Sequence, residues 1–356
     1  MRGAHRDYKG VVQVHTEADG GIPIDAIVEA AKACKLDFVV VTDCLRDKAA
    51  PRPQSGWRDG VLVLIGEEVR ARDGHFLAFE TREPVGSSED VTVEQAIEKV
   101  RRQHGVVVGL DYQYLGRRLP SFLPPVLDPS RVDILGAWSF LDEYVTRVRG
   151  GAALQYHARP ERAVVGMARE ATRLWDATLR ERDLPVLACV NALCRKEPLL
   201  EWREFFPFRS SFRTLCTVVR CRELPKVDAL AADFVWEALR LGRSYMANQA
   251  LGDPKGFRFS YQYPAGPESY MGETAEFARG GYVDVTLPGD AEIVVRHNGQ
   301  PLFWGTGTSI RFPIPTPGAV RVEARRDRKT WILSNAIRVQ VLDDEPRREA
   351  TVIDFT

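Results

Sequence analysis

The stretch GVVQVHTEADGG, residues 10–21, decides the fold. An apolar run at 11–14 gives way to a histidine, a threonine and an aspartate, then to two glycines. A buried strand that reaches a polar surface and turns has this pattern. Pro23 then stands where a first helical turn accepts proline, and Ile24, Ile27, Val28 and Ala31 repeat at helical spacing. A strand and a helix are therefore joined through a short segment rich in chemically active side chains.

The unit recurs along the chain. Apolar runs lie at 38–41, 61–65, 76–79, 106–110, 134–138, 186–190 and 214–219. Several are continuous, as expected of strands covered on both faces. Thr92 and Gln95 form a capping-box pattern ahead of Val93, Ala96, Ile97 and Val100. Residues 160–182 read as a long arginine-rich helix. Val227, Leu230, Phe234, Val235, Ala238 and Leu241 read as an amphipathic helix that stops at Gly242. Strand–helix alternation over about 250 residues predicts an α/β fold, a closed or nearly closed TIM-like parallel barrel.

After Gly256 the period becomes two. Val283, Val285 and Leu287 alternate with polar neighbours, as do Val320, Val322 and Ala324 with Arg321, Glu323 and Arg325, and Ile337, Val339 and Val341 with Arg338 and Gln340. Turn signals at 288–290, 298–299 and 317–318 separate the runs, and Gly305-Thr306-Gly307-Thr308 reads as a further turn. The expected organisation is a barrel over 1–250 and a separate all-β sandwich over 256–356, packed against it. The basic cluster Arg325, Arg326, Arg328 and Lys329 reads as a solvated loop.

Length and composition agree. A chain of 356 residues suits two domains, and 44% hydrophobic with 28% charged residues argues against extended disorder. Lys plus Arg and Asp plus Glu balance at 49 each, so neither nucleic acid nor an anionic membrane is an expected partner. The polar start carries no apolar segment of signal-peptide length, and no run spans a bilayer, which places the protein in the cytoplasm. Six cysteines without a CxxC read as small buried thiols.

Chemistry in parallel barrels collects at the carboxyl ends of strands. Those ends hold Gln13 and His15, then Asp43 and Cys44, then Glu67 and Glu68, then His75, then Asp111, and later Asn191. Five ends carrying His, Cys, Glu or Asp outweigh any one of them, each of which has a bland reading as a core histidine, loop acid or inert thiol. His104 reads as a helix-end residue, and His157 and His297 have no motif around them.

These segments resemble the PHP (polymerase and histidinol phosphatase) superfamily, particularly its carbaryl-hydrolase-like branch. VQVHTEADG is similar to the first family motif, DFVVVTDC to the second, and LIGEEV with GHFLAF to the Gly-x-Glu and Gly-His elements. GVVVGLDY and LPVLACVNAL stand where two later elements fall, and residues 238–259 resemble the passage into that branch's sandwich. The resemblance implies a distorted (β/α)7 barrel that holds two or three divalent metals and hydrolyses phosphoesters or related bonds. It carries His15, Glu68 and His75 over as ligands. It also shows departures: Gln13, Cys44, Asp111, Asn191 and Leu193 replace expected ligands.

Gln and Asn donate no charge and Leu cannot coordinate, so a full cluster lacks the donors that offset desolvation and ion–ion repulsion. At most one divalent ion, zinc or manganese, is expected, from the set His15, Cys44, Glu68, His75, Asp111 and Asn191. His15, Glu68 and Asp43 are the catalytic candidates, and a small anionic or phosphoester substrate is the expected partner. A metallohydrolase with a reduced site and an inactive ligand- or partner-binding barrel both satisfy this reading.

Overall fold

The structure is a computed structural model and describes residues 5–45, 53–110, 129–148, 153–192, 208–264 and 266–341. The first part of the chain contains β1 (Arg6–Val14), β2 (Phe38–Val41), β3 (Gly56–Arg58), β4 (Val61–Ile65), β5 (Glu67–Ala71), β6 (Gly74–Phe79), β7 (Val106–Leu110), β8 (Ile134–Ser139), β9 (Val186–Cys189), β10 (Leu215–Cys221) and β11 (Ser244–Asn248). Between them lie α1 (Ile24–Ala33), α2 (Val93–Arg102), α3 (Phe140–Val148), α4 (Ala153–Ala158), α5 (Arg169–Leu179), α6 (Phe208–Thr214) and α7 (Asp228–Arg240). The later strands are β12 (Arg258–Gln262), β13 (Ser269–Tyr270), β14 (Thr274–Glu276), β15 (Tyr282–His297), β16 (Gln300–Pro313), β17 (Gly318–Arg326), β18 (Lys329–Ser334) and β19 (Ile337–Gln340).

Every apolar run read from the first two-thirds of the sequence is a strand, and the fold is mixed α/β. The strands are not all parallel. β1, β2 and β4 run parallel, whereas β5–β6 and β6–β7 pair antiparallel before β7, β8 and β9 resume parallel order. Hydrogen bonds draw two sheets rather than one ring. The sheets meet at two places. Gly66 links β4 to β5 at a corner where a Cβ would stand 2.7 Å from the Phe79 ring. Opposite, β1 and β9 touch through a Val14–Ala192 bridge, with Ala192 N–H donating to Gln13 O at 3.0 Å.

Val12, Val40, Leu64, Leu77, Val108 and Leu187, one from each of six strands, share a single buried cluster. Each contributes roughly 1.5–3 kcal/mol by leaving water. Helix α7 closes one end of it, with Trp236 4.8 Å from Phe79. Val227 and Leu230, read as part of the buried face of this helix, stay exposed because they precede and open its first turn. Helix α2 keeps its expected capping box, Thr92 with Gln95.

The long helix expected at 160–182 is broken. A 3-10 turn, Pro160–Ala163, precedes α5, and Val165 and Gly166 N–H donate to the Glu143 carboxylate instead of continuing a helix.

The later strands do not form a separate sheet. β18 pairs β11, which pairs β10, which pairs β1, so the later strands extend the first sheet. Strand β10 is a shared wall: Cys216 and Val218 face the second core, whereas Leu215 and Val219 face the first. Val283, Val285, Val320, Val322, Ile337 and Val339 fill that second core as their alternation required. Residues 288–290 form an irregularity inside β15, not a turn, and 305–308 lie within β16. A strand of this length absorbs Pro288, which has no N–H, by shifting register.

The polar face of β17 is also not solvated. Arg321 on it pairs with Asp176 of α5, and both Arg321 and Glu323 are buried. Glu323 accepts from Arg325 Nε at 2.8 Å and Thr330 Oγ1 at 3.1 Å. Burial alone would raise its carboxyl, but the arginines around it hold it below the usual range. A depressed carboxyl stabilises the fold above its unfolded value and loses that contribution as pH falls through the folded one. Urea unfolding at a series of pH values should therefore show stability falling below about pH 4.5. Glu323→Gln should cost about 1–3 kcal/mol at neutral pH and flatten that acid limb.

Candidate metal centre

Strand β1 ends in an irregularity. Gln13 adopts φ 67° and the pairing with β2 shifts between Val12 and Val14. Asn191, just beyond β9 and bonded to this point, adopts φ 47°. Left-handed backbone at two touching strand ends is strain concentrated where side chains are re-aimed. After His15 the chain makes one 3-10 turn, Glu17–Asp19, capped by Thr16 and closed by Gly20 at φ 76°. Gly21 lies so close to the His15 carbonyl that a Cβ has no room there.

That turn returns Asp19 to His15. His15 is fully buried, and its Nδ1 meets Asp19 Oδ2 at 2.9 Å. Asp19 also accepts from Cys44 N–H at 2.9 Å, which pins the turn to the end of β2. The Asp43 carboxylate takes Thr16 N–H and Oγ1–H, both at 2.6 Å. Asp43 thus holds the loop rather than an imidazole, and Asp19 is the orienting carboxylate.

The other side of His15 faces Glu68. Among the described residues Nε2 has no hydrogen-bond partner, and it lies 3.6 Å from Glu68 Oε2. Glu68 is buried on β5. Its Oε2 accepts from Gln13 Nε2 at 3.0 Å, and its Oε1 accepts from Arg70 Nε at 2.9 Å and lies 3.8 Å from His75 Nδ1. His75 is cross-strand on β6, in register with Arg70. Glu67 points the opposite way, where its carboxylate accepts from Val85 and Gly86 N–H and fixes the following loop.

Charge follows this geometry. Burial alone would lower the His15 pKa, but Asp19, Glu68 and Asp43 together raise it. A site that favours a proton on Nε2 also favours another cation there. Burial alone would raise the Glu68 carboxyl, but His15, His75 and Arg70 hold it below the usual range. Burial lowers His75, which keeps it a neutral donor. Burial raises the Cys44 thiol, and its sulfur contacts Ser87 Oγ at 3.2 Å, so it is a protonated thiol rather than a ready ligand.

The structure therefore brings His15, Glu68 and His75 around one carboxylate. Asn191 is buried, its neighbour Ala192 donates to Gln13 O, and Cys44 contacts Ser87. Asp111 and Leu193 lie outside the described residues. Among the described residues, the group whose ligand atoms lie within 4.8 Å of one another is His15, Asp19 and Asp43. Both Asp43 oxygens are engaged by Thr16, and Asp19 Oδ2 by Cys44 and His15. The open atom is His15 Nε2, on the Glu68 side. The reading of the sequence missed Asp19 as a partner and Arg70 altogether. The His-x3-Asp spacing on one turn was the signal for Asp19. The i,i+2 spacing of Glu68 and Arg70 on one strand face was the signal for Arg70.

No protein-family model matches the chain, and no curated protein matches it. Seven solved chains do. A two-domain protein from Bacteroides vulgatus containing a predicted PHP-like metal-dependent phosphoesterase aligns over 93% of this chain and 95% of its own, at 12% identity and a TM-score of 0.48. Endonuclease Q, solved with a 27-mer duplex bearing an abasic lesion, aligns over 63% of this chain and 55% of its own, at 12% identity and a TM-score of 0.33. Neither is described as a carbaryl hydrolase. At this distance residues do not correspond one to one, so the site is read from its own geometry. Among the described residues no helix is long and apolar enough to cross a membrane.

Proposed function

We propose that the chain is a PHP-like metal-dependent hydrolase with a reduced site that holds one divalent ion, zinc or manganese, and acts on a small phosphoester or similar anion. The two sheets are then a distorted (β/α)7 barrel over 1–250, closed through the Gly66 corner and the Val14–Ala192 bridge, with the sandwich over 256–356. The shared inner core supports this. So does the resemblance of residues 238–259 to the carbaryl-hydrolase-like branch.

One observation carries the metal reading. His15 has Nδ1 held by a carboxylate and a buried Nε2 without a hydrogen-bond partner among the described residues, 3.6 Å from a charged carboxylate oxygen. Carboxylate-held imidazoles are how proteins present a nitrogen to a metal. An imidazole nitrogen and a carboxylate oxygen that face each other form a donor pair of the kind that would suit zinc or manganese. His15 and Glu68 would hold the ion, with His75, 3.8 Å from Glu68, beside them; Asp111 joins the set by its place in the sequence motif alone. The ion would supply Lewis-acid polarisation of a phosphoryl oxygen. Asp19 fixes the imidazole, Asp43 fixes the loop through Thr16, and Arg70, whose side chain is half-exposed, presents a cation to an incoming anion.

A second reading has its own support. Gln13 and Arg70 already satisfy the Glu68 carboxylate, as they would in a barrel that binds without turnover. Arg70→Ala separates the two. If an ion belongs at Glu68, removing the competing guanidinium should tighten zinc binding by about tenfold, the worth of one charge-assisted hydrogen bond. If Arg70 permanently replaces the ion, the variant should bind no more zinc than the parent. Turnover of generic phosphoesters is expected to be weak or absent in either case.

A further inference from the structure

Away from His15, a cleft of about 940 Å³ lies between α3, α5 and the sheet formed by β15, β17 and β18. No residue around His15 lines it. Its walls carry eight arginines against five carboxylates, an excess of three positive charges in a chain whose total is balanced. Arg296 and Arg321 stand directly opposite each other on β15 and β17. Like charges in that position repel. Asp176 and Glu323 answer part of that charge. Arg321 makes a two-pronged bond to Asp176, and Arg296 Nε lies 3.5 Å from Glu323.

Arg147 pairs with Glu143 and Arg325 with Glu323, which still leaves arginines at the rim uncompensated. Arg321 is 2% exposed, and its Nη1 has no hydrogen-bond partner among the described residues. A buried guanidinium donor without a partner is costly, and an anion nearby offsets its charge. At the rim, Arg173 of α5 and Arg328 of the β17–β18 turn make no side-chain hydrogen bond or ion pair among the described residues. Donors converge on this space from a helix, two strands and a turn. A planar carboxylate presents two oxygens in one plane, whereas chained tetrahedral phosphates present oxygens on every side. Arginine is the side chain suited to them.

We propose that this cleft is a binding site for an oligophosphate, with Arg173 and Arg328 donating at its rim and the charges of Arg296 and Arg321 beneath its floor. The site is independent of the metal centre.

The test is calorimetric titration of the full chain with inorganic triphosphate, with citrate as the carboxylate control. One saturable site is expected, weakened by added salt. Binding should fall about tenfold or more in Arg173→Glu with Arg328→Glu, both exposed positions whose change leaves the melting temperature in place. Glu68→Gln should leave it unchanged. Three outcomes overturn the proposal: no saturation at millimolar triphosphate, unchanged affinity in the double variant, or tighter binding of citrate than of triphosphate.

Discussion

Asp176→Ala should destabilise the protein by about 3–5 kcal/mol, the largest stability effect expected of a single substitution here. Asp176 receives Arg321 Nε at 2.9 Å and Nη2 at 3.0 Å, and the guanidinium lies over the Trp175 ring at 4.6 Å. Removing the carboxylate strands a cation that is almost wholly out of water. The pair joins α5 to β17, so the loss falls on the contact between the first part of the chain and the later strands. A urea midpoint that drops at constant slope would report it. Replacing both partners, with Asp176→Leu and Arg321→Met, should recover most of the loss, because no buried charge is then left alone. A cost below about 1 kcal/mol for Asp176→Ala would place the pair among solvent-screened surface bridges.

Glu68→Gln should weaken zinc binding by about 100-fold or more, since outer partners of metal ligands alone are worth 10–100-fold. Glutamine keeps the shape and one oxygen to accept from Arg70 but removes the charge on which His15 and His75 converge. Competition against a chromophoric chelator at fixed pH measures the change. His104, at the turn after α2, serves as the control, and His104→Ala should leave affinity unaltered. Equal affinity in Glu68→Gln and the parent would remove Glu68 from the ligand set.

Much of the fold was legible because burial writes itself into apolar runs. Strands β1, β2, β4 and β6 to β10 all appeared in the sequence as such runs. β5 did not, because Glu67, Glu68 and Arg70 are there for charge and hydrogen bonding rather than for packing. The polar face of β17 was misread for a related reason. Alternation distinguishes two faces, but it does not say whether the polar one meets water or another element. Arg321 and Glu323 look solvated in sequence and are buried, Arg321 in its pair with Asp176 of α5. Sheet continuity through β11 and β18 was equally hidden, since pairing between strands about 85 residues apart leaves no local pattern.

At the site, residue type pointed to His15, Glu68 and His75, and the structure places them together. It did not distinguish ligand from orienter. Asp43 and Asp19 are both acids near a strand end, and only the 3-10 turn decides which one reaches the imidazole. Arg70 went unseen because a cation beside a carboxylate on a strand is common and carries no motif.

The most direct measurement is elemental analysis of the purified chain after zinc loading and desalting, paired with the same analysis of His15→Ala. One ion per chain in the parent and almost none in the variant is the expected result. Two or three ions per chain would contradict the single reduced site, and no ion under any loading condition would leave a barrel that binds without metal.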